Sequence, residues 1–340
     1  MEEKGNQIRL TAGEIAQLWM QYLNDSASIC VLSYFFEKAE DEEIKPIIKY
    51  ALELSQSHIE KITTILTEEK HVVPHGFSIK EDVNVTAARL YSDSFVLNFI
   101  NQMSKVGLTS YAGSVAASVR SDIKTYYMDC LTETMQLDKK ATELLLSKGL
   151  YIRSPSLPNI EKVEFVKKQW FMLDVFGEKR PLTGTEIDSL FANLQRNALG
   201  VATLTGFSQV AQDKDVQKFF LKGLEVGNKH IKIFRGKLEE SKLPAPMGWD
   251  SEITNSTAYT FSDKLMMFFT SGLVGLSIGY YGTAVSQSPR GDLGAMYNRL
   301  SLEVQMYSED GANIMIKNRW MEQPPMAPDR DELIRKKNQL

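Results

Sequence analysis

Ser118-Val-Arg-Ser-Asp122, followed by Tyr127 and Glu133, returns further along the chain as Ser288-Pro-Arg-Gly-Asp292, Tyr297 and Glu303. Each position is separated from its copy by 170 residues. A second pair, Ser55-Gln-Ser-His58-Ile59 and Gly227-Asn-Lys-His230-Ile231, repeats at an offset of 172. Compared without a gap, residues 10–77 and 182–249 share 18 identities in 68 positions. Those identities include capping, loop and polar positions, so duplication explains them better than coincidence. One helical module is written twice.

The length of 340 residues exceeds what a single core usually serves, and two domains of about 150 residues are expected. The divisions read as a first bundle over 1–150, a connector over 151–181, a second bundle over 182–328 and a charged tail over 329–340. Apolar residues make up 43% and charged residues 24%, an ordinary soluble balance. A net charge of -4 supplies no concentrated basic face, so nucleic acid is not an expected partner. Cys30 and Cys130 lie in helical patterns of the first copy, where the second has Ala202 and Leu300. They read as buried reduced thiols, which suits a cytoplasmic setting.

The N-terminus, Met1-Glu-Glu-Lys-Gly-Asn, has no apolar run and does not read as a secretion signal. Residues 265–285 carry no charge and present Gly272, Gly275, Gly279 and Gly282. That spacing imitates a membrane helix. The copy over residues 95–115 contains Asn98, Asn101, Gln102 and Lys105. Two copies of one fold should not differ in whether they cross a bilayer, so a helix buried between neighbours is expected. Gly279 should then lie at a close helix–helix contact.

Thr11 and Glu14 form a capping box before a helical run of apolar residues, and Thr183 and Glu186 repeat it. The first helix should stop near Ala39. The second opens at Asp41 and ends by Lys70, with Pro46 in its first turns. Helix three is expected over 86–119 and helix four over 121–148. Between helices two and three, Val73-Pro-His-Gly-Phe77 and Ala245-Pro-Met247-Gly-Trp249 read as turns whose rings plug the bundle ends. Trp170, Phe171 and Phe176 suggest that the connector packs on a bundle. Helices five to eight are expected at 183–211, 213–242, 258–287 and 291–320.

Short one–two and three–four connections with a long crossover between them give an all-α fold of two tandem ferritin-like, up-down four-helix bundles, joined by an aromatic-rich connector. That topology often houses two metals held by Glu-x-x-His pairs. This chain has Ser55 and Gly227 three residues before His58 and His230. Gln136 and Met306 stand three residues after Glu133 and Glu303. Glu37 is matched by Gln209, and the literal pair Glu68–His71 has Leu243 in place of its histidine. What remains is His58 with Glu133 and His230 with Glu303, too few ligands for a closed site. The plainer reading is a buried histidine bonded to a glutamate. Asp122 and Asp292 suit a helix N-terminus beside Arg120 and Arg290. Tyr111 and Tyr281 read as core rings. No nucleophile elbow, phosphate loop, dinucleotide fingerprint or Cys-x-x-Cys occurs.

Several stretches carry a resemblance. They are the Leu-Thr-x-x-Glu-Ile start, His58-Ile59, the Val-Pro-x-Gly-Phe loop, Tyr91-Ser-Asp-Ser-Phe95, Gly107-Leu108 and Ser118-Val-Arg-Ser-Asp122. Together they resemble a tandem family of spore-forming bacilli, the domain of unknown function 3231 family, over roughly 10–150 and 182–328. The resemblance implies a ferritin-like fold and a similarity to spore-coat protein F. It implies no known activity. Pro289 and the glycine-rich helix three of the second copy depart from it.

The expectation is a non-enzymatic structural or interaction protein without a cofactor, cytoplasmic and with a spore association. Its partners would be further copies of itself or spore-coat proteins. The alternative is a metal-binding or oxidoreductase protein with a degenerate site in each bundle.

Overall fold

The computed structural model describes residues 8–167, 170–173, 179–246 and 248–337. The N-terminal six residues, Phe176, Met247 and the side chain of Trp170, all singled out above, lie outside the described residues. The described part is helical, with two isolated β-bridges as its only extended pairing.

The first half holds α1 (Ala12–Lys38), α2 (Lys45–Glu68), a single turn α3 (Ile79–Asp82), α4 (Asp93–Ala117) and α5 (Ser121–Ser147). After the short α6 (Trp170–Leu173) the second half repeats the order. It has α7 (Gly184–Val210), α8 (Lys214–Glu240), α9 (Asp263–Gln287) and α10 (Gly291–Lys317), and α11 (Arg330–Lys337) closes the chain. The long helices have 24–27 residues, about 40 Å at 1.5 Å per residue. In each half the first helix packs on the second and the third on the fourth. The two pairs meet through α1 with α4 and α2 with α5, and through α7 with α9 and α8 with α10.

Local chemistry fixes the ends. Thr11 and Thr183 accept the amides of Glu14 and Glu186, whose carboxylates bind back. Ser92 and Ser262 cap α4 and α9 through the amides of Phe95 and Leu265. Helix three therefore starts at Asp93 rather than near 86, and its copy at Asp263 rather than near 258. The residues ahead of each cap are spent on pairing with the other half.

That pairing joins the modules. Val83 bridges Phe261 and Tyr91 bridges Ile253, both antiparallel. The bonds come in matched sets 170 residues apart. Asn84 N donates to Thr260 O at 2.8 Å, and Thr254 N to Leu90 O at 2.9 Å. Ser92 N donates to Glu252 O, and Ser262 N to Asp82 O, both at 2.9 Å. The cap hydroxyls follow suit, Ser262 Oγ donating to Asp82 and Ser92 Oγ to Glu252. Phe99 and Phe269, equivalent residues, face each other with centroids 6.4 Å apart. A pseudo-two-fold axis thus runs between the halves, and each crossover segment pairs with its own copy.

The larger buried cluster is shared by both halves, running from Ala27 and Tyr34 through Phe207 to Met315. A smaller one, with Leu18, Ile62, Tyr127 and Cys130, fills the far end of the first half. Phe77 does not plug its own bundle. It packs on Phe268 at 4.9 Å, with the Lys264 ammonium over its ring.

Two expectations fail. A Cβ on Gly272, Gly275, Gly279 or Gly282 would meet nothing within 4 Å, and all four face solvent. Gly279 is not at a close helix contact. Nor is α9 enclosed by neighbours as expected: among the described residues it is the one helix long and apolar enough to cross a membrane, and 33% of its most apolar 18-residue window is buried. The connector packs in part, and its middle is open: Ile160 is 86% and Phe165 82% exposed. Its ends engage: Tyr151 and Ile152 pack on the core, Gln195 Nε2 donates to Ile152 O at 3.1 Å, and the Arg180 guanidinium stacks on the Phe171 ring.

Candidate functional site

The repeated polar residues meet in the middle of each half. In the first, His58 on α2 is buried with its two ring nitrogens turned to opposite neighbours. Nδ1 lies 3.2 Å from Asp25 Oδ2 on α1, and Nε2 lies 3.4 Å from Glu133 Oε2 on α5. Ser55 Oγ donates to the other Asp25 oxygen at 2.9 Å. The Tyr111 ring stands edge-on at 5.9 Å, and its hydroxyl accepts from Gln21 Nε2 at 3.3 Å. Burial pulls the imidazole pKa down, but Asp25 and Cys130 together outweigh it and raise His58 to about 10. His58 is an imidazolium between two carboxylates.

The second half uses the same backbone positions differently. Asn197 replaces Asp25 and Gly227 replaces Ser55. His230 Nε2 lies 3.3 Å from Glu303 Oε2, while Nδ1 lies 2.9 Å from the Tyr281 hydroxyl. Asn197 Nδ2 donates to that hydroxyl at 3.0 Å. Burial lowers the His230 pKa more than Glu303 raises it. A neutral ring satisfies the chain of bonds: Nε2–H donates to Glu303, and Nδ1 accepts from Tyr281. Lys229 holds the outer side of Glu303 at 2.9 Å. The same histidine is cationic in one half and neutral in the other.

In neither half is a ring nitrogen left free, and a metal would have to displace a carboxylate or a phenol to reach one. Among the described residues no group of three or more His, Cys, Asp and Glu side chains is arranged to hold a metal ion. Asp25 escaped the sequence reading, which followed Glu37 as the acidic residue of the first helix. Its signal was an acid within an apolar helical run, at the position where the second copy has Asn197.

Asp122 and Asp292 are not part of these centres. Each binds its own turn arginine in a fork, Arg120 at 2.8 and 2.7 Å and Arg290 at 2.9 and 2.8 Å. The remaining arginine nitrogen reaches back to a carbonyl just before the first helix of its half, Ile8 O or Arg180 O. Arginine and hydrogen bonding hold both aspartates below the usual carboxylate range, against the opposing effect of burial. These forks fasten the three–four turn to the start of the module.

None of the curated proteins matches the chain. Among solved structures, a candidate spore coat protein from Bacillus halodurans is similar, with 19% identity and a TM-score of 0.41. The match covers 46% of this chain and 99% of that one. The sequence profile of a family described as protein of unknown function, DUF3231, matches twice, over residues 1–163 and 170–333. With both halves matched, the chain belongs to the DUF3231 family, as a tandem pair of its modules.

Proposed function

We propose that this is a non-enzymatic helical protein, built as two ferritin-like four-helix units, that serves as a structural or interaction element. One observation carries the reading. The polar residues repeated in both halves are engaged with each other: histidine with glutamate across each unit, arginine with aspartate at each turn. Groups committed in this way stabilise and register a bundle; they do not present themselves to a substrate. A resident metal is not part of the proposal, because both nitrogens of each central histidine already have protein partners. The resemblance to a family of spore-forming bacilli favours association with the spore, after synthesis in the cytoplasm. Further copies of the chain or coat proteins would be the partners.

Two measurements test this. Elemental analysis of protein purified without an affinity tag should give less than one tightly bound transition metal per chain. Stoichiometric iron or manganese that vanishes in a Glu133→Ala, Glu303→Ala double variant would replace this reading with a metal protein. A fluorescent fusion followed through sporulation should concentrate at the spore. Uniform signal in the mother cell with none at the spore would remove the spore assignment.

A further inference from the structure

The second half contains a cleft that borders its polar centre, with His230 and Asn197 among its lining. It lies between α7, α8, α9 and α10 with the edge of α4, and encloses about 100 Å³. Its walls are aliphatic, including Leu199, Leu204, Val226, Leu273, Val274 and Val304. Part of the room comes from Gly200, where the first half has Ser28; a Cβ there would meet nothing within 4 Å.

One turn before Gly200 on the same face, Arg196 lines the cleft. Its guanidinium lies over the Tyr280 ring, 3.6 Å from the centroid. It is half-buried, and among the described residues no carboxylate pairs with it and no hydrogen bond engages it. The two more deeply buried arginines of this half, Arg180 and Arg290, each hold a carboxylate, and the half-buried Arg235 donates to the Pro246 carbonyl. An arginine stays charged under all ordinary conditions, and a planar fork fixed on an aromatic ring is suited to an anion.

Size selects the ligand. Nucleotides and drug-sized molecules need pockets of about 300–1,000 Å³. An apolar cavity of about 150 Å³ takes a benzene ring, so this cleft holds a chain of about four or five carbons, with more reaching toward its opening. A single cation above aliphatic walls matches one negative charge on an apolar tail. We propose that the cleft binds a small aliphatic monocarboxylate of about six to eight carbons, its carboxylate on Arg196 and its chain beside Gly200. Nothing in the proposed structural role requires this site, and the two stand or fall separately.

The test is calorimetric titration of the full chain with sodium octanoate and with 1-octanol. Octanoate should bind saturably at one site. Arg196→Gln should weaken octanoate by about tenfold or more and leave octanol unchanged, while Arg196→Lys should keep part of the octanoate affinity. Gly200→Leu should abolish binding of both ligands without lowering the melting temperature, since it fills the cleft in a helix where glycine is unfavourable. Three results each overturn the proposal: no saturable octanoate binding, Arg196→Gln binding octanoate as tightly as wild type, or Gly200→Leu binding as before. Should Arg196→Gln fail to fold, the Gly200→Leu result still decides.

Discussion

The ring of Tyr91 occupies the space that a side chain on Gly206 would need, with its Cε1 2.7 Å from where a Cβ would stand. The Tyr91 hydroxyl goes on to donate to the Thr203 carbonyl on α7 at 2.7 Å. Across the pseudo-two-fold axis the roles are exchanged. Tyr34 is the equivalent of Gly206, and it meets Phe261, the equivalent of Tyr91, edge to face at 5.1 Å. One contact is tyrosine into glycine and the other tyrosine against phenylalanine, so the halves have become complementary rather than identical.

Two glycines therefore predict opposite signs. Replacing a helical glycine by alanine normally stabilises by about 1 kcal/mol. Gly279→Ala, on the open face of α9, should show that gain in urea denaturation. Gly206→Ala should instead destabilise by about 1–3 kcal/mol through overpacking against Tyr91. Tyr91→Leu should also destabilise, yet the double variant should lose less than the sum. If Gly206→Ala stabilises like Gly279→Ala, the halves do not close on each other here.

The two histidines predict opposite pH limbs. Folding raises the His58 pKa, so the native state holds that proton more tightly than the unfolded chain. Its contribution is complete below about pH 6.5, the unfolded value, and fades as the pH approaches about 10. Folding lowers the His230 pKa, so its contribution is present above about pH 6.5 and is lost as the pH falls. His58→Gln should flatten the decline in stability between neutral and alkaline pH, and His230→Gln the decline on the acid side. Urea midpoints at several pH values measure this. Parallel alkaline profiles for wild type and His58→Gln would show that the ring is not charged.

The connector predicts a nick without separation. Residues around Ile160, Val163 and Phe165 are exposed and irregular, with Arg153, Lys162 and Lys167 alongside. Brief trypsin treatment should cut there first. The two fragments should still elute together, held by the crossover pairs and by Glu322, which accepts the Gly76 amide at 2.7 Å from the far half. Fragments that part on gel filtration without denaturant would mean that the pairing is too weak to join the modules.

Much of this architecture could be read from residues alone, for a physical reason. Capping boxes and helical periodicity are local, and duplication lets each half check the other. The family, the helical class and the start of every module were legible in that way. The crossover pairing was not. It rests on two bridges between segments of mixed sequence, too short to show alternation. Asp25 was hidden because its role depends on a ring from another helix, and the two histidines share the His-Ile step and a partner glutamate while their pKa values shift in opposite directions. Gly279 misled because a small-residue stripe signals close packing only when a partner is present.

The last prediction concerns how the second half compensates for a missing donor. In the first half Glu14 Oε1 accepts the amides of Val119 and Arg120 at 3.0 and 2.9 Å. Pro289 stands where Val119 does and has no amide to offer, so of these two turn amides Glu186 keeps the one from Arg290, at 3.0 Å. Arg180, where the first half has Ile8, supplies the replacement with two guanidinium bonds to the carboxylate, each 2.8 Å. Glu186 is 0% exposed, and although burial raises its pKa, Arg180 and the backbone donors bring it below the usual value. Removing the cation would strand a buried charge. Arg180→Met should cost about 3–5 kcal/mol, the usual penalty for breaking a buried pair from one side. Adding Glu186→Gln should recover part of that loss, because a neutral amide tolerates burial better than an unpaired carboxylate. Adding Pro289→Val to Arg180→Met should recover part as well, by restoring the amide seen at Val119. Urea denaturation of wild type and the three variants measures all three effects. A cost for Arg180→Met below about 1 kcal/mol, the range of an exposed pair, would show that solvent reaches Glu186 and that the arginine is not its compensation.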